Sequence, residues 1–169
     1  MDSVTCTLAG FETMIRMKTA GSVVVQCGFE YRASGSVQAQ MSLQYIVAVT
    51  LLEGAALLEQ FSEEKIADPQ VLDLARRVEI VADPEIDRAY PERYANRVEI
   101  VLKGGRRFET RVDDAKGSTG QPLSLPEVAA KFRSLAAGEL SSQQADRVIE
   151  TIVNLEQLED IHVLTRLLA

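Results

Sequence analysis

The sequence predicts an α+β fold: a small antiparallel sheet with a buried helix and flanking helices, followed by an all-helical C-terminal extension. Alternating apolar residues, typical of strands with one buried face, are concentrated in the first two thirds of the 169-residue chain. Residues 38–54 have the length and apolar content of a buried helix. We therefore expect an α+β domain over residues 1–120 and C-terminal helices over residues 121–169.

The N-terminal 35 residues are expected to form two or three short strands. Apolar residues alternate at 4–8 and again at 15–17, and residues 22–29 are rich in β-branched and aromatic side chains. Glycines separate these runs, as they do at turns.

The segment 38–54 predicts one continuous helix, because it contains neither proline nor internal glycine before Gly54, which is suited to end it. Its second half is apolar on almost every side, but Gln38, Ser42 and Tyr45 fall at i, i+4 and i+7 on one face. Polar groups at the start of a buried helix need polar partners. Two explanations stay open: a pocket for a carboxylate-bearing substrate at the helix N-terminus, faced by Ser42 and Tyr45, or pairing with the preceding loop.

The middle of the chain predicts a helix and then several strands. Asp68-Pro69 is a cap followed by proline, and it opens a helix to about Arg77. Arg-Val-Glu-Ile-Val occurs at 77–81 and again at 97–101, which indicates two similar strands in one sheet. Residues 103–106 contain Gly-Gly and predict a hairpin turn into a strand that covers 108–112.

Three helical segments are expected at the C-terminal end. Ser124 and Ser141 each begin a capping-box pattern, and a final helical piece covers 161–168. The second helix carries a clear apolar stripe. Its members are Ala145, Val148, Ile149, Ile152 and Val153. That stripe requires cover, so in a domain that stands alone the helices must fold back on the sheet or pair with another chain. We therefore expect a homodimer or an aggregation-prone monomer.

Composition excludes several kinds of partner. The chain has 18 basic and 25 acidic residues, a net charge of −7, and no basic run longer than two residues. This argues against nucleic acid and against anionic membrane surfaces. No apolar run is long enough for a transmembrane helix, and the N-terminus lacks the pattern of a secretory signal. Only two cysteines, Cys6 and Cys27, are present, so we expect a reducing, cytoplasmic location.

The same composition excludes much metal and nucleophilic chemistry. His162 is the chain's single histidine, which rules out a Ser-His-Asp triad or a two-histidine metal site within it. Asp83, Glu85 and Asp87 have the spacing that opens a calcium loop, but the later positions of that loop do not match. Lys116 precedes Gly-Ser in the wrong order for a phosphate loop, so we interpret 116–122 as a connector in which Lys116 is a candidate partner for a carboxylate.

The residues at 38–45, Gln-Ala-Gln-Met-Ser-Leu-Gln-Tyr, followed by an apolar helix ending Leu-Leu-Glu-Gly, resemble the MmgE/PrpD family. Further matching segments follow in the same order and spacing, from about Met14 to the C-terminus. They are 59–64, 68–69, 98–112, 116–117, 122–124 and 131–132. No one motif is unique to the family, but together they are specific.

The resemblance implies a portion of an enzyme. The family includes 2-methylcitrate dehydratase, cis-aconitate decarboxylase and iminodisuccinate epimerase, which act without cofactors on small di- and tricarboxylic acids. Its members pair a large helical domain with an α+β lid, hold the active site between the two, and usually form homodimers. This chain is similar to the lid and the terminal helices that return to the helical domain.

The resemblance also assigns roles to individual residues. Tyr45 matches the tyrosine of the family's Ser-x-x-Tyr segment and would orient substrate or assist proton transfer, with Ser42 as its companion. Gln38 and Lys116 are further candidates for binding substrate, and no metal or cofactor is expected. The family's acidic and basic groups from the helical domain, and a Lys…Cys…His segment before the lid, have no counterpart here. We therefore expect either a lid that is incomplete without the helical domain, or a non-catalytic lid-like module for dimerisation or regulation.

Overall fold

The computed structural model describes residues 14–168, which divide into two compact units at Ala115 and Lys116. The sequence prediction placed this boundary at residue 120. The strand expected at 4–8, which includes Cys6, lies outside the described residues.

The described part of the first unit forms a sheet and several short helices. Its strands are β1 (Met14–Thr19), β2 (Val78–Ala82), β3 (Asn96–Val101) and β4 (Arg107–Val112). Its helices are α1 (Gly21–Cys27), α2 (Ser36–Met41), α3 (Leu43–Glu53), α4 (Glu63–Ile66), α5 (Pro69–Ala75) and α6 (Pro84–Ala89), with a 3-10 helix at Leu58–Phe61.

The sheet has the strand order β2-β1-β3-β4 and is mixed. The α+β class is confirmed, but the prediction of an antiparallel sheet is wrong, because β1 and β2 run parallel while the other pairs are antiparallel. The connection between β1 and β2 contains five α-helices and a 3-10 helix, which is long enough to bring the chain back in the same direction. The two similar Arg-Val-Glu-Ile-Val strands flank β1, where Ile15 pairs with both Val78 and Ile100.

Residues 22–29 do not form the expected strand but lie largely within α1. The helix begins where the Ala20 carbonyl accepts hydrogen bonds from the N–H groups of Val23 and Val24. A strand following β1 in the sheet has no free place beside it, since β2 and β3 occupy both of its edges. Tertiary context therefore overrides the β propensity of the valines in α1. One of them, Val25, is 85% exposed.

The single helix expected over 38–54 is broken in two at Ser42. This residue has an extended backbone, with φ −91° and ψ 112°, and is the N-cap of α3. The break means that Gln38, in α2, does not share a continuous helical face with Ser42 and Tyr45. Gly54 ends α3 as predicted, in the left-handed conformation with φ 74°.

Helix α3 packs against α5 and against the sheet, and it supplies the centre of the core. Its side chains at Tyr45, Ala48 and Val49 are fully buried. Thr50 is exposed, so the prediction of burial on almost every side is only partly correct.

The C-terminal unit is helical, as expected. It contains α7 (Leu125–Ala136), α8 (Ser142–Val153), a 3-10 helix at Leu155–Gln157, and α9 (His162–Leu167). Both capping boxes are present, at Ser124 and Ser141. Within residues 14–168, no helix is both long enough and apolar enough to cross a membrane.

Candidate functional site

The hydroxyl of Ser42 is used to begin α3. Its Oγ accepts a hydrogen bond from the Tyr45 N–H at 3.3 Å, and the side chain is completely buried. This contact satisfies one of the N–H groups that a helix start leaves unpaired. Ser42 and Tyr45 are therefore in contact, but the bond between them is the one that caps the start of α3.

Tyr45 lies at the centre of an aromatic cluster. Its ring centroid is 4.8 Å from that of Tyr31 and 5.7 Å from that of Phe61, with tilted rings. Its hydroxyl donates to the main-chain carbonyl of Gln60, and the residue is fully buried. Burial, reinforced by the nearby Tyr31 and Glu53, raises the pKa of Tyr45 to about 12. The phenol consequently keeps its proton at neutral pH.

A chain of polar contacts runs from the Gln60 residue toward the surface. Gln60 Nε2 donates to Glu53 Oε2 at 2.9 Å, and Gln60 Oε1 accepts from the Leu57 N–H at 2.9 Å. Lys65 Nζ lies 2.6 Å from Glu53 Oε1 and 3.0 Å from Asp68 Oδ2. Both amide ends of Gln60 are thus occupied, and its position is set from two sides.

Each charged group in this chain of contacts favours the charged form of its partner. The hydrogen bond from Lys65, together with that from Gln60, lowers the pKa of Glu53. The pKa of Asp68 is lowered first by the Gln70 N–H and then by Lys65. The two carboxylates in turn raise the pKa of Lys65. The group therefore stays charged over the physiological range.

Sequence reasoning missed this group because it joins residues that no local pattern connects. Glu53 ends α3, Gln60 lies in the 3-10 helix, and Lys65 is in α4. No sequence signal identified it, because the burial of Gln60, which requires partners for both ends of its amide, is a property of the folded chain.

Other polar side chains at the start of the segment pair with the preceding loop and, in the case of Gln44, with β2 as well. Gln38 Oε1 accepts from the Ser34 hydroxyl at 2.6 Å. Gln44 accepts from the Tyr31 N–H at 3.0 Å and donates to the Val78 carbonyl at 3.1 Å. These contacts favour the second of the two explanations for the polar helix start.

Lys116 belongs to the C-terminal unit and contacts a carboxylate of its own chain. Its Nζ lies 2.7 Å from Glu127 Oε1, and the lysine side chain is 63% exposed. Glu127 also accepts hydrogen bonds from the Ser124 N–H and hydroxyl. The contact with Lys116, followed by those with Ser124, lowers the pKa of Glu127 to about 2. Lys116 thereby supports the start of α7.

An apolar groove lies between α3 and the β3–β4 pair, with a volume of about 300 Å³. Val47, Leu51, Val98, Ile100 and Phe108 provide most of its lining. The remaining lining residues are Thr50, Glu109 and Thr110, so the groove offers no positive charge to offset that of a carboxylate. The groove is therefore a poor match for an anionic substrate.

The sheet carries a buried carboxylate whose charge is offset internally. Glu99 on β3 is 6% exposed, and its carboxylate lies 3.2 Å from Arg107 Nε and 3.7 Å from Lys18 Nζ. These pairs link β1, β3 and β4. Across residues 14–168, no group of three or more histidine, cysteine, aspartate or glutamate side chains is arranged to hold a metal ion.

Comparison with known proteins gives one family. The sequence profile of the MmgE/PrpD C-terminal domain matches residues 13–157. The chain is 33% identical to cis-aconitate decarboxylase of Mus musculus over 131 residues, which are 78% of this chain and 27% of that protein. It is 31% identical to cis-aconitate decarboxylase of Aspergillus terreus over 158 residues, 91% of this chain and 32% of that protein.

A more distant relative is named for a different activity. The 2-methylcitrate dehydratase of Escherichia coli is 24% identical over 127 residues, which are 72% of this chain and 26% of that protein. The matched region thus spans about a quarter to a third of the length of each of these relatives.

Proposed function

The chain belongs to the MmgE/PrpD family, and on this premise we propose that it is the lid part of a lyase or isomerase acting on small di- and tricarboxylic acids. The observation that carries the proposal is the match to the C-terminal domain alone, within relatives about three to four times as long as the matched region. The proposed enzyme is incomplete without a helical domain. Dehydration of 2-methylcitrate and decarboxylation of cis-aconitate are the reactions to test first, because relatives carry those names.

In this proposal Tyr45 contacts substrate as a neutral phenol. Its raised pKa makes it a poor general base at neutral pH, so the proton beside the substrate carboxylate is removed by a group of the helical domain. Tyr45 then orients the substrate or donates a hydrogen bond to it, with Ser42 fixing the start of the helix that carries it. In the described chain Tyr45 is fully buried and its hydroxyl is bonded to the Gln60 carbonyl. We therefore propose that docking of the helical domain exposes this hydroxyl.

The helical domain is proposed to pack on the C-terminal helices. The side chains of Ile152 and Val153 on α8, and of Ile161 before α9, remain about half exposed. Exposed apolar side chains on successive helices are typical of a surface that another domain covers. A second copy of this chain is the alternative occupant, and a homodimer stays a prediction of the sequence.

Assembly provides a direct test of this packing. Light scattering of the chain mixed with a separately expressed helical domain of a family relative is expected to show a complex. Val153→Asp should abolish that complex, whereas Val25→Asp, which changes an 85% exposed valine on α1, should leave it intact. A complex that survives Val153→Asp would count against the proposed surface.

The second candidate function is a non-catalytic lid-like module that serves dimerisation or regulation. One observation favours it: Ser42 and Tyr45 are both fully buried and both bonded within the chain. A core tyrosine of this kind can be purely structural. The two candidates are separated by turnover in the mixture, since the module predicts assembly without activity.

A further inference from the structure

A continuous set of contacts connects a surface ammonium group to the buried hydroxyl of Tyr45. Lys65 Nζ binds Glu53 Oε1 at 2.6 Å, and Glu53 Oε2 accepts from Gln60 Nε2 at 2.9 Å. The main-chain carbonyl of the same Gln60 accepts the Tyr45 hydroxyl. Side-chain contacts therefore join Lys65 to Glu53 and Glu53 to Gln60, and the main chain of Gln60 completes the link to the phenol.

We propose that Lys65 is a positioning residue for Tyr45, acting through Glu53 and Gln60. The inference rests on the proposed function, because positioning matters for catalysis only if Tyr45 contacts substrate. The proposed role of Lys65 is to fix the direction in which the Tyr45 hydroxyl points.

The Glu53–Lys65 pair differs from an ordinary surface ion pair because the Glu53 carboxylate also binds the side chain of Gln60. Glu53 and Lys65 have side chains about a quarter exposed, at 26% and 28%, but Gln60 is only 9% exposed. Because Gln60 Oε1 also accepts from the Leu57 N–H, the residue is bound at both ends of its amide. Its carbonyl therefore has little freedom to leave the phenol.

The orientation has a chemical consequence. A tyrosine that donates its proton to a main-chain carbonyl presents only its oxygen lone pairs to other groups. Tyr45 held in this way accepts a hydrogen bond, as from a substrate hydroxyl or a protonated carboxyl group. Released from Gln60, it becomes a donor to a substrate carboxylate. The Lys65 contacts thus set which of the two roles the phenol plays.

The test is nuclear magnetic resonance of the full 169-residue chain with Lys65→Met, Lys65→Arg and the control Arg16→Met. Arg16 pairs with Glu79 at 2.7 Å with a similar side-chain exposure of 33%, but it lies on β1, and its described hydrogen bond and ion pair both go to Glu79. Two signals are followed: amide exchange at Leu57, which reports the Gln60 side chain, and the ring Cζ resonance of Tyr45.

Lys65→Met is expected to speed amide exchange at Leu57 by about fivefold, as loss of a partly exposed ion pair does for a local opening. The Cζ resonance of Tyr45 should shift at the same time, while Lys65→Arg and Arg16→Met leave both signals close to those of the original chain. A merely stabilising role would instead speed exchange at the core amide of Val49 by the same factor. Unchanged Leu57 and Tyr45 signals in Lys65→Met, or equal changes at Val49, would overturn the proposal.

If Lys65→Met does not fold, Glu53→Gln takes its place, since an amide oxygen can still accept from Gln60 while the charged contact with Lys65 is lost. The same shifts are expected, and their absence overturns the proposal. Failure of the proposed function is recognised separately: Tyr45→Phe with full turnover in the assembled enzyme refutes the catalytic role, whatever the resonance signals of the Lys65 variants show.

Discussion

Replacing Tyr45 by phenylalanine removes one hydroxyl and little else. The ring contacts with Tyr31 and Phe61, at 4.8 and 5.7 Å, remain available to the new side chain. The carbonyl of Gln60 loses its hydrogen-bond donor in a site that water does not reach, since Tyr45 is fully buried. An unpaired buried acceptor costs about 1–3 kcal/mol. We expect Tyr45→Phe to lower the free energy of unfolding of the chain by that amount.

Urea denaturation followed by far-ultraviolet circular dichroism measures the change. Tyr94→Phe is the matched control, because this tyrosine is 56% exposed and water can replace its contacts, so less than about 0.5 kcal/mol is expected. Tyr31→Phe should fall in between, at about 1 kcal/mol, because its hydroxyl donates to the Ile66 carbonyl at 3.1 Å. A cost for Tyr45→Phe no larger than that for Tyr94→Phe would indicate that the hydroxyl is not held by Gln60.

Three further predictions concern the helix that carries Tyr45. Ser42→Ala removes the cap of α3 and should cost about 1 kcal/mol in unfolding free energy, measured by the same denaturation. Gly54→Ala meets no neighbouring atom but must adopt φ 74°, so a cost of about 1 kcal/mol is expected, against almost none for Gly104→Ala, which has open space and no positive φ. Glu53 has a lowered pKa in the folded chain, so its stabilisation is complete above its ordinary pKa of 4.5 and is lost as the pH falls through the lowered value. Unfolding free energies between about pH 7 and about pH 3 should therefore fall less steeply in Glu53→Gln, and an unchanged slope would contradict the contact with Lys65.

Local patterns were sufficient where an element depends mainly on its own residues. The capping boxes at Ser124 and Ser141 and the helices behind them were predicted and are present. The Gly-Gly hairpin and the Asp68-Pro69 helix start depend on short-range backbone chemistry in the same way, and both predictions are confirmed.

Predictions failed where contacts with distant parts of the chain determine the local structure. Nothing near residues 22–29 indicates that both edges of β1 are occupied, and that occupancy is what leaves these residues to form α1. The direction of β2 depends on the whole crossover between residues 19 and 78, which no periodicity reveals. The break at Ser42 is a third case, because a serine is compatible both with a helix interior and with a cap.

At the candidate site, too, the sequence identified individual residues but not the distant partners that hold them. The resemblance drew attention to Tyr45 and Ser42, and the structure brings them together, yet the partners that hold Tyr45 were not foreseen. Gln60, Glu53 and Lys65 come from three different elements, so their juxtaposition follows from packing and not from sequence spacing. Roles in catalysis for Tyr45, Ser42, Gln38 and Lys116 stay predictions.

A turnover assay measures the proposed activity itself. The chain is assayed with 2-methylcitrate, cis-aconitate and iminodisuccinate, alone and mixed with a separately expressed, folded helical domain, with Tyr45→Phe and Tyr94→Phe carried in parallel. We expect activity only in the mixture, a large loss of kcat in Tyr45→Phe, and full activity in Tyr94→Phe. Activity from the chain alone, or an assembled complex that turns over none of these acids, would contradict the proposed function.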